Sequence, residues 1–338
     1  MNKQTYNKLL SDCTLCPRNC HVNRLNGQTG YCGQTNIITA ARAALHMWEE
    51  PCISGTTGSG AVFFSGCNMG CIFCQNYSIA HSEIQKTVTV QRLSEIFLEL
   101  QEQDACNINL VTPTHFVPQI AAALTYAKDH GLYIPIVYNT SGYELPETLR
   151  ILDGLIDIYL PDCKYVSARL SAQYSNAPDY FERCNDALHE MIRQTGAPAF
   201  YRPEDNSALT ISATQYNELI EDLSSADSID DFQDYSGPLM KKGVIVRHLM
   251  LPGSFDDSKN VIQYLHDTFD SQIYISIMSQ YTPTAQAKIF PSLTKKIDSE
   301  EYDALTDFAI SIGVENGFVQ GSDTASESFI PLFDYKGL

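Results

Sequence analysis

The stretch Ala61-Val62-Phe63-Phe64-Ser65-Gly66-Cys67-Asn68-Met69-Gly70-Cys71-Ile72-Phe73-Cys74-Gln75-Asn76 joins an apolar, strand-like run to a loop whose cysteines stand four and then three residues apart. Three thiolates on one loop can hold three corners of an iron–sulfur cube and leave the fourth iron open. An open iron can bind a substrate or cofactor instead of only passing electrons. A structural zinc site usually takes a fourth protein ligand, often from paired Cys-x2-Cys units, and the unequal spacing fits that less well. Three core cysteines at this spacing by chance is the weakest reading.

Outward from this loop the chain alternates. Apolar strand candidates at Ala61 to Phe64, Ile108 to Val111, Ile134 to Tyr138, Ile156 to Leu160, Val244 to Leu249 and Ile273 to Ile277 are spaced largely by helical periodicity. The helical stretches are Val90 to Leu100, Phe116 to His130, Leu145 to Leu152, Tyr180 to Gln194 and Ser258 to Phe269. Strands separated by helices imply an α/β fold with a parallel sheet covered on both faces. Right-handed crossovers then give an open doubly wound sheet or a barrel, and periodicity alone does not separate them.

Residues 1–50 form a cysteine-rich start with Cys13, Cys16, Cys20 and Cys32, enough for a second metal site. Zinc on four cysteines would brace a region with little core of its own. An auxiliary iron–sulfur cluster could instead relay electrons or bind substrate; four reduced structural thiols are the third reading. A core from 51 to 290 is interrupted at about 196–241 by an acidic excursion long for a βα unit, with a short helix near Gln215 to Leu223. It reads as a solvated insertion, or as a lid or partner-docking surface. The tail, 291–338, has helix-like Tyr302 to Ile312 and the apolar run Phe329 to Tyr335, and is expected to cover an open barrel end.

Forty acidic against 22 basic residues give a formal charge of -18, with no Lys/Arg cluster to attract nucleic acid or anionic lipid. The start lacks a signal-peptide pattern and no apolar run is of membrane-spanning length, so a cytoplasmic location is expected. Eleven cysteines in such a chain point to metal or redox chemistry before disulfides.

The spacing of Cys67, Cys71 and Cys74 resembles that of radical S-adenosylmethionine enzymes. Phe64-Ser65-Gly66-Cys67, Cys74-Gln75-Asn76, Val137-Tyr138-Asn139-Thr140-Ser141-Gly142-Tyr143, Tyr159-Leu160-Pro161-Asp162-Cys163-Lys164-Tyr165 and Val246-Arg247-His248-Leu249-Met250-Leu251-Pro252-Gly253 are similar to blocks of the uncharacterised branch related to pyruvate formate-lyase activating enzyme. The resemblance implies a partial (β/α)6 TIM-like barrel. It also implies a [4Fe-4S] cluster on the three cysteines, and reductive cleavage of S-adenosylmethionine to methionine and a 5'-deoxyadenosyl radical that takes hydrogen from a substrate. Flavodoxin or ferredoxin would be the electron donor.

Further site residues follow. Asp162 and Lys164 lie beyond a strand end, where parallel α/β folds bind ligands, and Lys164 is read as a donor to the cofactor carboxylate. Arg247 sits in an apolar strand and, if buried, needs an anion; the resemblance makes it a contact to that carboxylate. His248, on the opposite face, reads as structural. The family's Gly-Gly-Glu motif is absent from the comparable loop, which leaves Thr112 and Thr114 to hold the cofactor by hydrogen bonds. Asn139, Thr140 and Ser141 are expected to line the cofactor pocket. Gln280 and Tyr281 follow the last strand and are candidates for the substrate side. Tyr77 is read as packing over the cluster, lying near adenine, or filling core.

The resemblance implies abstraction from a glycine of a partner enzyme. The missing motif, the added cysteines and the acidic insertion leave room for an alternative, radical modification of a small molecule or peptide side chain. A non-catalytic metal-bound scaffold is the reading from another class.

Overall fold

The computed structural model describes residues 3–202, 210–226, 235, 237–320 and 331–338. The strands are β1 (Ile38–His46), β2 (Ser59–Phe64), β3 (Lys86–Val88), β4 (Ile108–Val111), β5 (Ile136–Thr140), β6 (Ile158–Pro161), β7 (Ala199–Tyr201), β8 (Ile211–Ser212), β9 (Leu239–Leu249), β10 (Tyr274–Met278) and β11 (Gly317–Val319). Helices α1 (Lys3–Ser11), α2 (Pro51–Ser54), α3 (Tyr77–Ala80), α4 (Val90–Glu102), α5 (Val117–Asp129) and α6 (Pro146–Leu149) occupy the first half. Helices α7 (Ala168–Ser175), α8 (Tyr180–Thr195), α9 (Ala213–Ala226), α10 (Phe255–Phe269) and α11 (Ser299–Ser311) occupy the second.

The six expected apolar runs correspond to β2, β4, β5, β6, β9 and β10, which adjoin in chain order, each parallel to the next. A doubly wound sheet reverses its strand order at a switch point; this unbroken progression winds one way, as a barrel wall does. Antiparallel β1, with β3 beyond it, borders β2, and parallel β11 borders β10. The sheet is therefore mixed and partly open, consistent with a partial barrel.

Period-2 alternation sorts the side chains. Tyr138, Tyr159, Val244, Val246, Ile275 and Ile277 face the large outer core shared with the helices. Val137, Ile158, Leu160, Ile245 and Tyr274 face inward and meet Cys52, Ile53, Phe200, Tyr216 and Met240. Caps fix where helices begin: Thr89 accepts from the Arg92 amide at 3.0 Å and Asp298 from the Glu300 amide at 2.9 Å. Each such cap is worth about 1 kcal/mol.

The described part of the acidic excursion is not over the cysteine loop. β7 pairs with β8 and with the start of β9, and Phe200 stacks on Tyr216 at 3.9 Å. They plug the inner face at the strands' N-terminal ends, whereas the cysteine loop leaves the C-terminal end of β2. The helix expected near Gln215 is α9; residues 203–209 and 227–234 lie outside the described residues.

At the other end of the chain, β11 extends one edge of the sheet while residues 331–338 lie against β1 at the other. The Ala43 amide donates to the Lys336 carbonyl at 2.8 Å, Arg42 pairs with Asp334 at 2.6 Å, and Phe333 meets Phe63 edge-on at 5.6 Å. Phe329 and Ile330, part of the apolar run noted in the sequence, lie outside the described residues. No helix among the described residues is long and apolar enough to cross a membrane.

Candidate functional site

The cysteine loop is held from several directions. Gly66 and Gly70 take φ of +89° and +70°, values that suit glycine. The Asn68 amide group donates to the Tyr143 carbonyl at 2.7 Å, the Ile72 amide to the Tyr174 carbonyl at 3.0 Å, and the Thr284 hydroxyl to the Ile72 carbonyl at 2.7 Å. Ser175 donates to Cys71 Sγ at 3.0 Å. Burial pushes the Cys71 thiol up to about 11 against the pull of Lys164, with Cys67 adding to the rise. Burial, then Cys71 and Cys67, push Cys74 up to about 12. Cys71 and Cys74 thus feel the charge of their neighbours on the loop, with that of Lys164 opposing it.

The N-terminal cysteines sit behind this loop. Arg18, between Cys16 and Cys20, donates to the carbonyls of Asn68 at 2.7 Å, Met69 at 3.1 Å, Ser175 at 3.3 Å and Asn176 at 2.5 Å. Its guanidinium lies over the Tyr31 ring at 3.9 Å, and Tyr31 donates to the Met69 carbonyl at 3.1 Å. A Cβ on Gly66 would stand 2.6 Å from the Cys32 carbonyl oxygen, so the two segments touch backbone to backbone. Burial raises Cys16 to about 12, with Cys32 and Cys13 contributing. Arg24, fully buried, reaches the His115 carbonyl at 2.7 Å and ties the region to the sheet.

The strand-end residues divide between the two faces. Asn139 points inward and lines the inner cavity. Thr114 and Thr140 do not: both are buried and donate to Glu144 Oε1, at 2.6 and 2.5 Å. Burial raises the Glu144 carboxyl to about 7, only partly opposed by those hydrogen bonds. Thr112 adopts φ +58°, an outlier for a β-branched residue, and donates its amide to the Asn139 carbonyl at 2.9 Å. Ser141 offers its carbonyl to the Tyr180 hydroxyl at 2.8 Å. Lys164 Nζ pairs with Asp162 Oδ2 at 2.5 Å, and Asp162 lies beside Arg247 across a parallel bridge. His248 is buried on the outer face, bonded through Nδ1 to the Cys163 carbonyl at 2.8 Å, and burial lowers it to about 4.

Arg247 enters the barrel and meets two buried carboxylates. It donates from Nε to Glu50 Oε1 at 2.8 Å, from Nη2 to Glu49 Oε2 at 2.5 Å, and to Glu50 Oε2. Asn109 Nδ2 adds a bond to Glu49 Oε1 at 2.7 Å. Burial opposes ionisation of Glu49, but Arg247 overrides it and holds the carboxyl below its ordinary value. The guanidinium expected on a cofactor carboxylate is thus engaged by the protein's own acids.

This trio forms one side of a cavity of about 270 Å3, lined also by Gln75 and Asn76 from the cysteine loop and by Gln280. Gln75 Nε2 donates to the Gln280 carbonyl at 2.5 Å. Tyr281 is outside the lining; it is buried and donates to the Leu293 carbonyl at 2.6 Å. Tyr77 stacks on His81 at 3.8 Å. Sequence reasoning missed Glu49, Glu50 and Glu144. The signal for the first two was present, since a buried arginine demands an anion and Glu49-Glu50-Pro51 ends an apolar stretch.

Among the described residues no three His, Cys, Asp or Glu side chains gather around one ion's position. A cube sets each cysteine on a different iron. Cys67, Cys71 and Cys74 on one strand-end loop offer the three thiolates such a cube would take, one on each of three irons.

Residues 61–195 match the profile of the Radical SAM superfamily. The uncharacterized protein MJ0674 of Methanocaldococcus jannaschii is 24% identical over 311 residues, covering 89% of this chain and 75% of its own. Among solved structures, SuiB of Streptococcus suis bound to the precursor peptide SuiA is 12% identical with a TM-score of 0.46. That likeness covers 78% of this chain, which spans only 49% of SuiB. A variant of spore photoproduct lyase gives 11% identity and a TM-score of 0.43, covering 76% of this chain and 74% of its own.

Proposed function

We propose, from the match of residues 61–195 to the Radical SAM superfamily profile, that this protein cleaves S-adenosylmethionine reductively at a [4Fe-4S] cluster on Cys67, Cys71 and Cys74 and abstracts hydrogen from a substrate. When bound, cluster and cofactor supply the electron and the 5'-deoxyadenosyl radical; the chain supplies placement and exclusion of water. The observation that carries the reading is the trio of mutually interacting thiols at the end of β2, whose next two residues line the inner cavity. Lys164, held by Asp162, is a cation whose charge acts on Cys71 and Cys74 and would meet the cofactor carboxylate. Asn139 would bond its polar groups from the cavity wall, and the strained Thr112 turn stands where the family's Gly-Gly-Glu lies.

The substrate in this reading is a small molecule or a peptide side chain, which a cavity of this volume would admit. The second reading, a glycine of a partner enzyme, rests on the similarity of sequence blocks to pyruvate formate-lyase activating enzyme. Flavodoxin or ferredoxin is proposed as electron donor. Cys13, Cys16, Cys20 and Cys32 are proposed to hold a second centre, either zinc or an auxiliary iron–sulfur cluster.

The test is anaerobic reconstitution and reduction with S-adenosylmethionine, measuring 5'-deoxyadenosine with iron and zinc content. Formation in the wild type and its loss in Cys67→Ala support the reading. No formation by fully clustered wild type, with either donor, overturns it in favour of a metal-bound scaffold.

A further inference from the structure

Among the described residues the inner cavity carries more negative than positive charge: their ionisable lining is His46, Glu49, Glu50 and Arg247. One guanidinium faces two carboxylates, and burial lowers the His46 imidazole below its ordinary value, with Arg247 adding to the effect against the pull of Glu49. A surplus buried charge is costly unless something pairs with it.

Unused acceptors stand at the same place. A carboxylate offers about four lone-pair sites, and the bonds to Glu49 and Glu50 from Arg247 and Asn109 leave several open. Asn109 is fully buried; its Nδ2 points at Glu49, and its Oδ1 has no partner. Trp48, Phe63 and Phe318 add aromatic faces to a wall otherwise made of aliphatic and uncharged polar residues. Ring faces attract cations that have shed water. Acceptors in excess, surplus negative charge and aromatic walls select one chemistry, a donor-rich organic cation.

We propose that the Glu49–Glu50 side of this cavity binds an organic ammonium group. This deepens the radical reading, on which it rests for what then happens to the ligand, by naming the group that the substrate or the cofactor presents there. A substrate amine and the ammonium of S-adenosylmethionine share the chemistry, and competition tells them apart. Because Glu49 and Glu50 line the same cavity as Gln75 and Asn76, a ligand anchored there lies between the acidic wall and the cysteine loop.

Trp48 is the chain's one tryptophan and lines this cavity, so its emission reports occupancy. The reconstituted full chain would be titrated with n-butylammonium and with n-butanol, following Trp48 emission and heat. The expected result is affinity for n-butylammonium at least roughly ten-fold above that for n-butanol, falling by a similar factor in Glu50→Gln while n-butanol is unaffected. Equal binding of the two probes by wild type, or an undiminished preference in folded Glu50→Gln, overturns the proposal. The wild-type comparison stands even if Glu50→Gln does not fold. Displacement of n-butylammonium by S-adenosylmethionine assigns the acids to the cofactor's ammonium, and simultaneous binding assigns them to a substrate's. Measuring 5'-deoxyadenosine on the same preparation separates the failures. Cleavage without ammonium preference sinks only this inference, and preference without cleavage sinks the radical reading.

Discussion

The loop at 65–76 hangs from β2, a strand buried along its whole length, donates hydrogen bonds to the Tyr143 and Tyr174 carbonyls and accepts one from Thr284. The region from Cys13 to Cys32 has a small apolar cluster of Leu10, Cys13 and Leu15, and otherwise depends on polar ties through Arg18 and Arg24. Both present cysteines, but the first loop is shaped by the fold and the second shapes itself against the first. A region with so little core gains much of its stability from a bound metal, whereas a loop set in a large core keeps its form without one.

The sharpest way to break the contrast is paired substitution. Cys67→Ala should reduce 5'-deoxyadenosine to background with little change in the thermal midpoint. Cys16→Ala should leave much of the turnover and make residues near the N-terminus readily cleaved by protease. Equal effects of the two on turnover would erase the distinction. Next in size is Arg247→Met, which leaves Glu49 and Glu50 buried without their cation and should cost about 3–5 kcal/mol, read from the urea midpoint.

Glu144 bears on the boundary between the regions, since its charge reaches Cys16. Burial raises its carboxyl from the ordinary 4.5 to about 7. The folded state holds this proton more tightly than the unfolded chain, so the contribution is full below about 4.5 and is lost as pH rises through about 7. Glu144→Gln keeps the acceptor for Thr114 and Thr140 and should flatten that slope. At pH 8 it should gain at most about 3 kcal/mol over wild type, measured by denaturation at pH 5 and pH 8. The smallest effect is expected at the contact itself. Arg18→Ala should cost about 2 kcal/mol and lower iron retention during dialysis. Arg18→Lys should not restore it, because an ammonium cannot span the carbonyls that the planar fork reaches.

The strands of the barrel were legible because each is an apolar run bounded by helical periodicity. The edge strands β1, β3 and β11 were not. β3 and β11 are three residues each, and β1 is an alanine-rich stretch with a charged residue inside. The cysteine loop announced itself by spacing. Arg247 announced its need for an anion but not which one, since its partners lie almost two hundred residues away. Thr114 and Thr140 were read as cofactor contacts because they stand at or just beyond strand ends; the pleat of β5 turns Thr140 outward to Glu144, and the helical turn at Thr114–Phe116 brings Thr114 to the same carboxylate.

Residues 331–338 lie along β1, so the first strand is bordered by a segment some 290 residues further along the chain. A ribosome adds about 5–20 residues each second. Both cysteine groups and the strands from β1 to β11 are therefore translated before the segment that borders the cavity with Pro331. Until that segment is made, the side of the cavity that Pro331 borders stays open to solvent.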